Sequence, residues 1–192
     1  MVKLNDLNRH LRPGKIYRRS DMVKWSSSVD RHIKQLVEAG KLRKLATGIY
    51  YCPKQTVFGA SVADDREMVE AFLKDKRFLL TSPNVYNALR VGTTQLYNQT
   101  VVYNHKRHGV FSLGGRTFDF QKKSAFPRHP GPEYFLVDMV NNLQTLAEDE
   151  DRVLAGIRRK ISSMDQKKLK KAVESYAGVK AKKFFDDAIH SA

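Results

Sequence analysis

Residues 26–54 read SSSVDRHIKQLVEAGKLRKLATGIYYCPK, a helix pattern that runs into a basic, β-branched and aromatic hairpin pattern. Val29, Ile33, Leu36 and Val37 fall at i, i+4, i+7 and i+8, one apolar stripe of period 3.6. Ser27 followed by Asp30 makes an S-x-x-D capping box, so the spacing predicts Ser27 as the N-cap. Gly40, after the last periodic residue, supplies a left-handed stop. The face opposite the stripe carries Ser27, Ser28, Arg31, Lys34, Gln35 and Glu38. Apart from Glu38 these are donors suited to phosphates or base edges, and they begin at the helix N-terminus.

Upstream, Ser20 is expected to cap a short helix over residues 21–25, joined by Trp25-Ser26-Ser27 in the manner of a helix-turn-helix. An earlier helix over about residues 2–11 places Leu4, Leu7 and Leu11 on one side and stops at Pro13-Gly14. Downstream, residues 41–45 and 49–52 read as two strands joined by Ala46-Thr47-Gly48. Three helices followed by a β-hairpin is the order of a winged helix-turn-helix. Its groove-facing candidates are Arg18, Arg19, Ser27, Ser28, Arg31, Lys34 and Gln35, with Lys41, Arg43, Lys44 and Thr47 on the hairpin to meet backbone phosphate. Tyr50 and Tyr51 read as packing residues of that hairpin.

The charge profile agrees with this. The chain of 192 residues has a formal charge of +15, unevenly spread. Residues 1–55 hold 13 Lys/Arg and 4 Asp/Glu, giving +9. Residues 56–155 hold 12 of each, and residues 156–192 hold 10 and 4, giving +6. A compact basic head is the footprint of a polyanion partner, here double-stranded DNA. One cysteine, Cys52, excludes an internal disulfide and suits a reducing cytoplasm. No apolar run approaches the roughly 18 residues of a membrane span, and the start MVKLNDLNRHLRPGK does not read as a signal peptide.

The middle reads as a small antiparallel α+β unit over residues 56–126. It has a helix from Ala60 to about Asp75 and a strand over residues 77–81. A short helix, capped by Ser82 with Pro83 at its first position, runs through Leu89. Strands over residues 99–103, 109–113 and 116–120 follow. A linker-like stretch, Pro127 to Pro132, precedes a helical region over residues 133–192 studded with Arg158-Arg159-Lys160, Lys167-Lys168 and Lys170-Lys171. That basic surface suits a second DNA contact, an acidic protein partner, or plain solvation. Residues 56–192 are also expected to be able to act as one domain.

TGIYYCPK after a winged helix, then SPNVYNALRVGTTQ, then a strand pair ending GGRTFDF, resembles the AbiEi-type antitoxins, transcriptional regulators of type IV toxin–antitoxin pairs. The resemblance covers roughly residues 15–145. It implies a DNA-binding winged helix that represses its own promoter, and a C-terminal region that neutralises a cognate nucleotidyltransferase-like toxin. No cofactor and no bound metal are expected.

Enzymatic patterns are sparse. There is no G-x-x-x-x-G-K-[ST], G-x-S-x-G or H-E-x-x-H. His105 and His108 sit in a basic loop without Cys or carboxylate neighbours and read as solvated turn residues. Cys52 has no activating base in its surroundings. The one enzymatic rival is a metal-dependent nuclease at Asp119-Phe120-Gln121-Lys122-Lys123. There Gln121 stands where such a site wants its second carboxylate, and a strand with Phe118 and Phe120 facing the core explains the same residues. No catalytic residue is assigned.

Overall fold

The computed structural model describes residues 4–190 of a mixed α+β chain that ends in a helical region. The chain begins with α1 (Leu4–His10), β1 (Lys15–Arg18), α2 (Arg19–Met22), a 3-10 turn at Val23–Trp25, and α3 (Val29–Glu38). There follow β2 (Arg43–Ala46), β3 (Ile49–Cys52), β4 (Gln55–Thr56), β5 (Gly59–Ala60), α4 (Asp65–Leu73) and β6 (Phe78–Thr81). A 3-10 helix, Pro83–Leu89, leads to β7 (Thr100–Asn104), β8 (Gly109–Leu113) and β9 (Arg116–Lys122). The last helices are α5 (Pro132–Asn142), α6 (Glu150–Ile161), α7 (Gln166–Tyr176) and α8 (Val179–His190).

The chain packs as two units, Met1–Phe78 with Gly109–Phe118, and Leu79–His108 with Asp119–Ala192. The three-segment division read from the sequence follows charge and linker residues; the two units follow packing.

In the first unit, Leu7, Met22, Val29, Ile33, Leu36 and Leu42 form one buried core. The expected apolar stripe of α3 is what it contributes: Val29, Ile33 and Leu36 are buried and Val37 packs alongside. Gly40 takes φ +69°, as the stop requires. The expected first helix is shorter than residues 2–11, running Leu4–His10, and residues 2 and 3 lie outside the described residues.

Strand β1 has no counterpart in the sequence reading. Its four residues gain strand form from pairing, Ile16 opposite Tyr51 and Arg18 opposite Ile49, which places β3 between β1 and β2. The next helix starts at Arg19, so Ser20 lies inside it and is not its cap; Asp21 instead accepts the Arg18 N–H at 3.3 Å. Helix α4 starts at Asp65, not Ala60, because the Asp64 carboxylate caps it by accepting the Glu67 N–H at 3.0 Å. In the same unit β8 and the first residues of β9 form a hairpin closed by Gly114-Gly115.

The second unit packs α5, α6, α7 and α8 around Leu136, Val137, Met139, Val153, Ile157, Leu169 and Phe185. Asp149 caps α6 and Asp165 caps α7 through backbone N–H groups, as S/T/D/N residues before an apolar run do. Ser82 caps the Pro83–Leu89 turn as expected, accepting the Asn84 N–H at 3.3 Å, although that turn is 3-10. Within this unit β6, β7 and the last residues of β9 lie side by side. Helix α6 passes so close to the chain before it that a Cβ at Gly156 would sit 2.1 Å from the Val91 carbonyl oxygen.

Candidate nucleic-acid interface

The first turn of α3 is built differently from the capping box expected of it. Ser28 is the N-cap and its side chain makes no cap bond. Asp30 is unavailable because Arg19 holds it, with Nε and a terminal nitrogen each 2.6 Å from a different carboxylate oxygen. Two parallel charge-assisted bonds to a guanidinium outcompete the single one that a backbone N–H would offer this carboxylate. The pairing holds the Asp30 carboxyl below its usual range, chiefly through the hydrogen bond from Arg19.

Beneath the turn, Ser26 and His32 are buried against each other, Oγ to Nδ1 at 2.8 Å. Ser26 Oγ also accepts the Ser28 N–H at 3.2 Å. Ser26 thereby satisfies the N–H of the N-cap residue. Neither Ser26 nor His32 was singled out from the sequence. Their i, i+6 spacing carries no recognised pattern, and the only signal was a histidine beside the apolar stripe.

Three local pieces meet at Arg19. Its side chain reaches α3, while its N–H donates to the Gly48 carbonyl at 2.8 Å in the β2–β3 turn. The start of α2, the first turn of α3 and the tip of the hairpin are therefore tied at one residue. Gly48 adopts φ +73° there, a conformation that glycine takes without strain. Arg19, Ser27, Ser28, Asp30 and Arg31 line a concavity of about 380 Å³ at this place.

Ser27, Arg31, Lys34 and Gln35 are exposed on the outer face of α3, with Ser28 half-buried at its start. Lys34 lies 3.9 Å from the oppositely charged Glu38. Arg43 and Lys44 are exposed on β2, and Thr47 is exposed in the turn. A bulge at Leu45 separates Lys44 from Ala46, and the Leu45 carbonyl accepts the Gly114 N–H at 2.8 Å, which fixes the hairpin from its other side.

Two candidates stand apart. Lys41 follows the C-terminal end of α3, about 15 Å along the helix from its first turn. Arg18 is half-buried and paired with Asp21 at 3.8 Å. Tyr51 is buried, its hydroxyl bonded to Ser61 Oγ at 2.6 Å, and Tyr50 packs against the core of the unit, so both pack as expected. Cys52 is buried, and burial pushes its thiol pKa up.

The enzymatic candidate is arranged otherwise. Asp119 Oδ2 accepts from Gln121 Nε2 at 2.7 Å and from Gln99 Nε2 at 3.2 Å. Lys123 points its ammonium at buried Asp138, 3.5 Å away, and lies over the Tyr103 ring. Among the described residues no group of three or more His, Cys, Asp or Glu is placed to hold a metal ion. His105 is not a solvated turn residue. Its Nδ1 lies 2.9 Å from the Lys123 carbonyl and its ring stacks on Phe126. Among the described residues no helix is long and apolar enough to cross a membrane.

No family model and no curated protein matches the sequence. Among solved structures, the chain is similar to the RV2827C protein from Mycobacterium tuberculosis, known from its crystal structure, with a TM-score of 0.56 and 14% identity. The match covers 98% of this chain and 75% of that one. At that identity the likeness shows the fold alone.

Proposed function

We propose that this chain is a DNA-binding transcriptional autorepressor and the antitoxin of a type IV-like toxin–antitoxin pair, with its N-terminal elements working as a winged helix-turn-helix. The observation that carries the DNA-binding part is the tie at Arg19. It holds the N-terminal turn of an amphipathic helix and the tip of a basic hairpin in one place, and both present exposed donors. Recognition helices present their N-terminal residues to base edges while flanking elements meet phosphate. On this reading Arg31, Lys34 and Gln35 face the groove and Arg43, Lys44 and Thr47 the backbone. Arg19 acts mainly by positioning, since Asp30 occupies its guanidinium.

The antitoxin part rests on the resemblance in TGIYYCPK, SPNVYNALRVGTTQ and GGRTFDF, and its partner is a nucleotidyltransferase-like toxin. The test has two arms. Purified full-length protein is titrated onto its own promoter with a scrambled duplex as control, and the chain is co-expressed with a nucleotidyltransferase-like product of the adjacent reading frame. Promoter binding that exceeds scrambled binding by less than about tenfold defeats the repressor reading. Unrelieved growth arrest in the second arm defeats the antitoxin reading.

A further inference from the structure

The second unit contains a cavity of about 430 Å³ that the DNA-binding reading does not use. Pockets for small ligands run from roughly 300 to 1,000 Å³, so this one has room for a single small molecule. Half-buried Tyr97 supplies its aromatic surface, Tyr86 and Tyr103 line its inner side at only 4% and 2% exposed, and one polar wall comes from Gln99, Asp119 and Gln121.

The aromatic side is held rigid. The Tyr86 and Tyr103 hydroxyls both donate to Asp138 Oδ2, at 2.7 and 3.0 Å, and Asn142 Nδ2 donates to each of them. Both hydroxyl pKa values are pushed up, first by burial and then by the Asp138 charge, so these rings stay neutral. Tyr97 is fastened by its backbone, its N–H donating to Asn84 Oδ1 at 2.7 Å and its carbonyl accepting from Asn84 Nδ2 at 2.9 Å. Its hydroxyl in turn accepts the Ala147 N–H at 3.0 Å. A site fixed before its ligand arrives loses less ordering entropy on binding.

The polar wall has a definite chemical sense. Both glutamine amides donate to Asp119 Oδ2, which leaves Asp119 Oδ1 and the two glutamine carbonyl oxygens without a partner among the described residues. All three are acceptors. Thr81 lines the same cavity, and its hydroxyl is buried with no hydrogen-bond partner, which is uncommon in folded proteins. Among the described lining residues there is no Lys or Arg, and the one imidazole is that of His108.

We infer that this cavity binds a free nucleobase or nucleoside bearing an exocyclic amino group, its ring against Tyr97 and its amino group donating to Asp119 Oδ1. A flat ring suits the aromatic side, since base–aromatic stacking tolerates any base. An acceptor-rich wall selects amino over keto edges, because a keto oxygen facing a carboxylate leaves two acceptors opposed. This inference is independent of the DNA-binding reading.

Calorimetric titration of the full-length protein with adenosine, cytidine, inosine, uridine and glucose tests it. Saturable one-to-one binding of adenosine or cytidine is expected, at least tenfold tighter than that of the keto counterpart and of glucose. Asp119→Asn should weaken that binding about ten- to a hundredfold, the loss of a hydrogen bond to a charged group. Thr81→Val, which removes an unpartnered hydroxyl, should leave the melting temperature at or above that of the parent while weakening binding. It serves as the second variant if Asp119→Asn does not fold. Absence of saturable heat for every nucleoside, equal binding of inosine or uridine, equal binding of glucose, or undiminished binding by the folded variants would each overturn the assignment.

Discussion

Arg19 and Asp30, eleven residues apart, are joined by two hydrogen bonds of 2.6 Å, and the pair ties the first turn of α3 to the start of α2. The bond holds the Asp30 carboxyl below its ordinary value. Its contribution is therefore complete above the unfolded-state value of about 3.9 and is lost as pH falls through the lower folded value. Melting temperatures of the parent and of Asp30→Asn, recorded from pH 6 down to pH 2, should differ most at the high end and converge at the low end. A constant difference across that range would show that the pair is not the source of the acid sensitivity. Both groups are exposed, so the effect should be modest and weakened by salt.

Base readout and phosphate contact should separate by residue. Arg31→Ala should cost about 1–3 kcal/mol on the promoter site and much less on scrambled DNA, because the buried stripe that holds α3 is untouched. Equal losses on the two duplexes would demote Arg31 to a phosphate contact.

Arg43→Ala with Lys44→Ala should weaken both duplexes alike. The slope of log K against log salt should fall by about one phosphate contact for each residue. An unaltered slope removes the β2–β3 hairpin from the interface.

Asp138 is 2% exposed and serves as the acceptor for Tyr86, Tyr103 and Lys123 together. Asp138→Ala strands two hydroxyls and a part-buried ammonium, and denaturant unfolding should show a loss of about 3 kcal/mol. A loss under about 1 kcal/mol would mean that the three donors find other partners.

Gly156→Ala tests the packing of α6. The added methyl has no room beside the Val91 carbonyl, and the neighbour is backbone, so the helix must shift. The expected cost is about 3 kcal/mol or more, despite the better helix propensity of alanine. Wild-type stability in this variant would show that α6 and Val91 are farther apart than described.

The stripe Val29-Ile33-Leu36-Val37 and the turn at Gly48 were legible because each follows from local periodicity or local backbone geometry. The acidic caps Asp64, Asp149 and Asp165 are local too, each an aspartate just ahead of an apolar-periodic run. Asp30 went the other way. Its spacing from Ser27 reads as a cap, and a guanidinium eleven residues upstream outbids the backbone for it. Strand β1 was invisible for a similar reason, since Lys15-Ile16-Tyr17-Arg18 acquires its form from β3, more than thirty residues away. The tyrosine–aspartate cavity joins Tyr86, Tyr103, Asp119 and Asp138 from four separate elements, and no single window of sequence contains it.

The chain enters the second unit after Phe78, returns to the first at Gly109, and leaves it again within β9, after Phe118. No single cut therefore yields either unit whole. During synthesis, the first unit cannot be completed until the ribosome has released residue 118, although most of it emerges far earlier. Until then Leu45 has no Gly114 to bond, and the turn of the β8–β9 hairpin has not reached the bulge. A nascent chain stalled before that point carries the basic hairpin without its outer brace, and an upstream fusion or transplant of residues 1–78 would inherit the same defect.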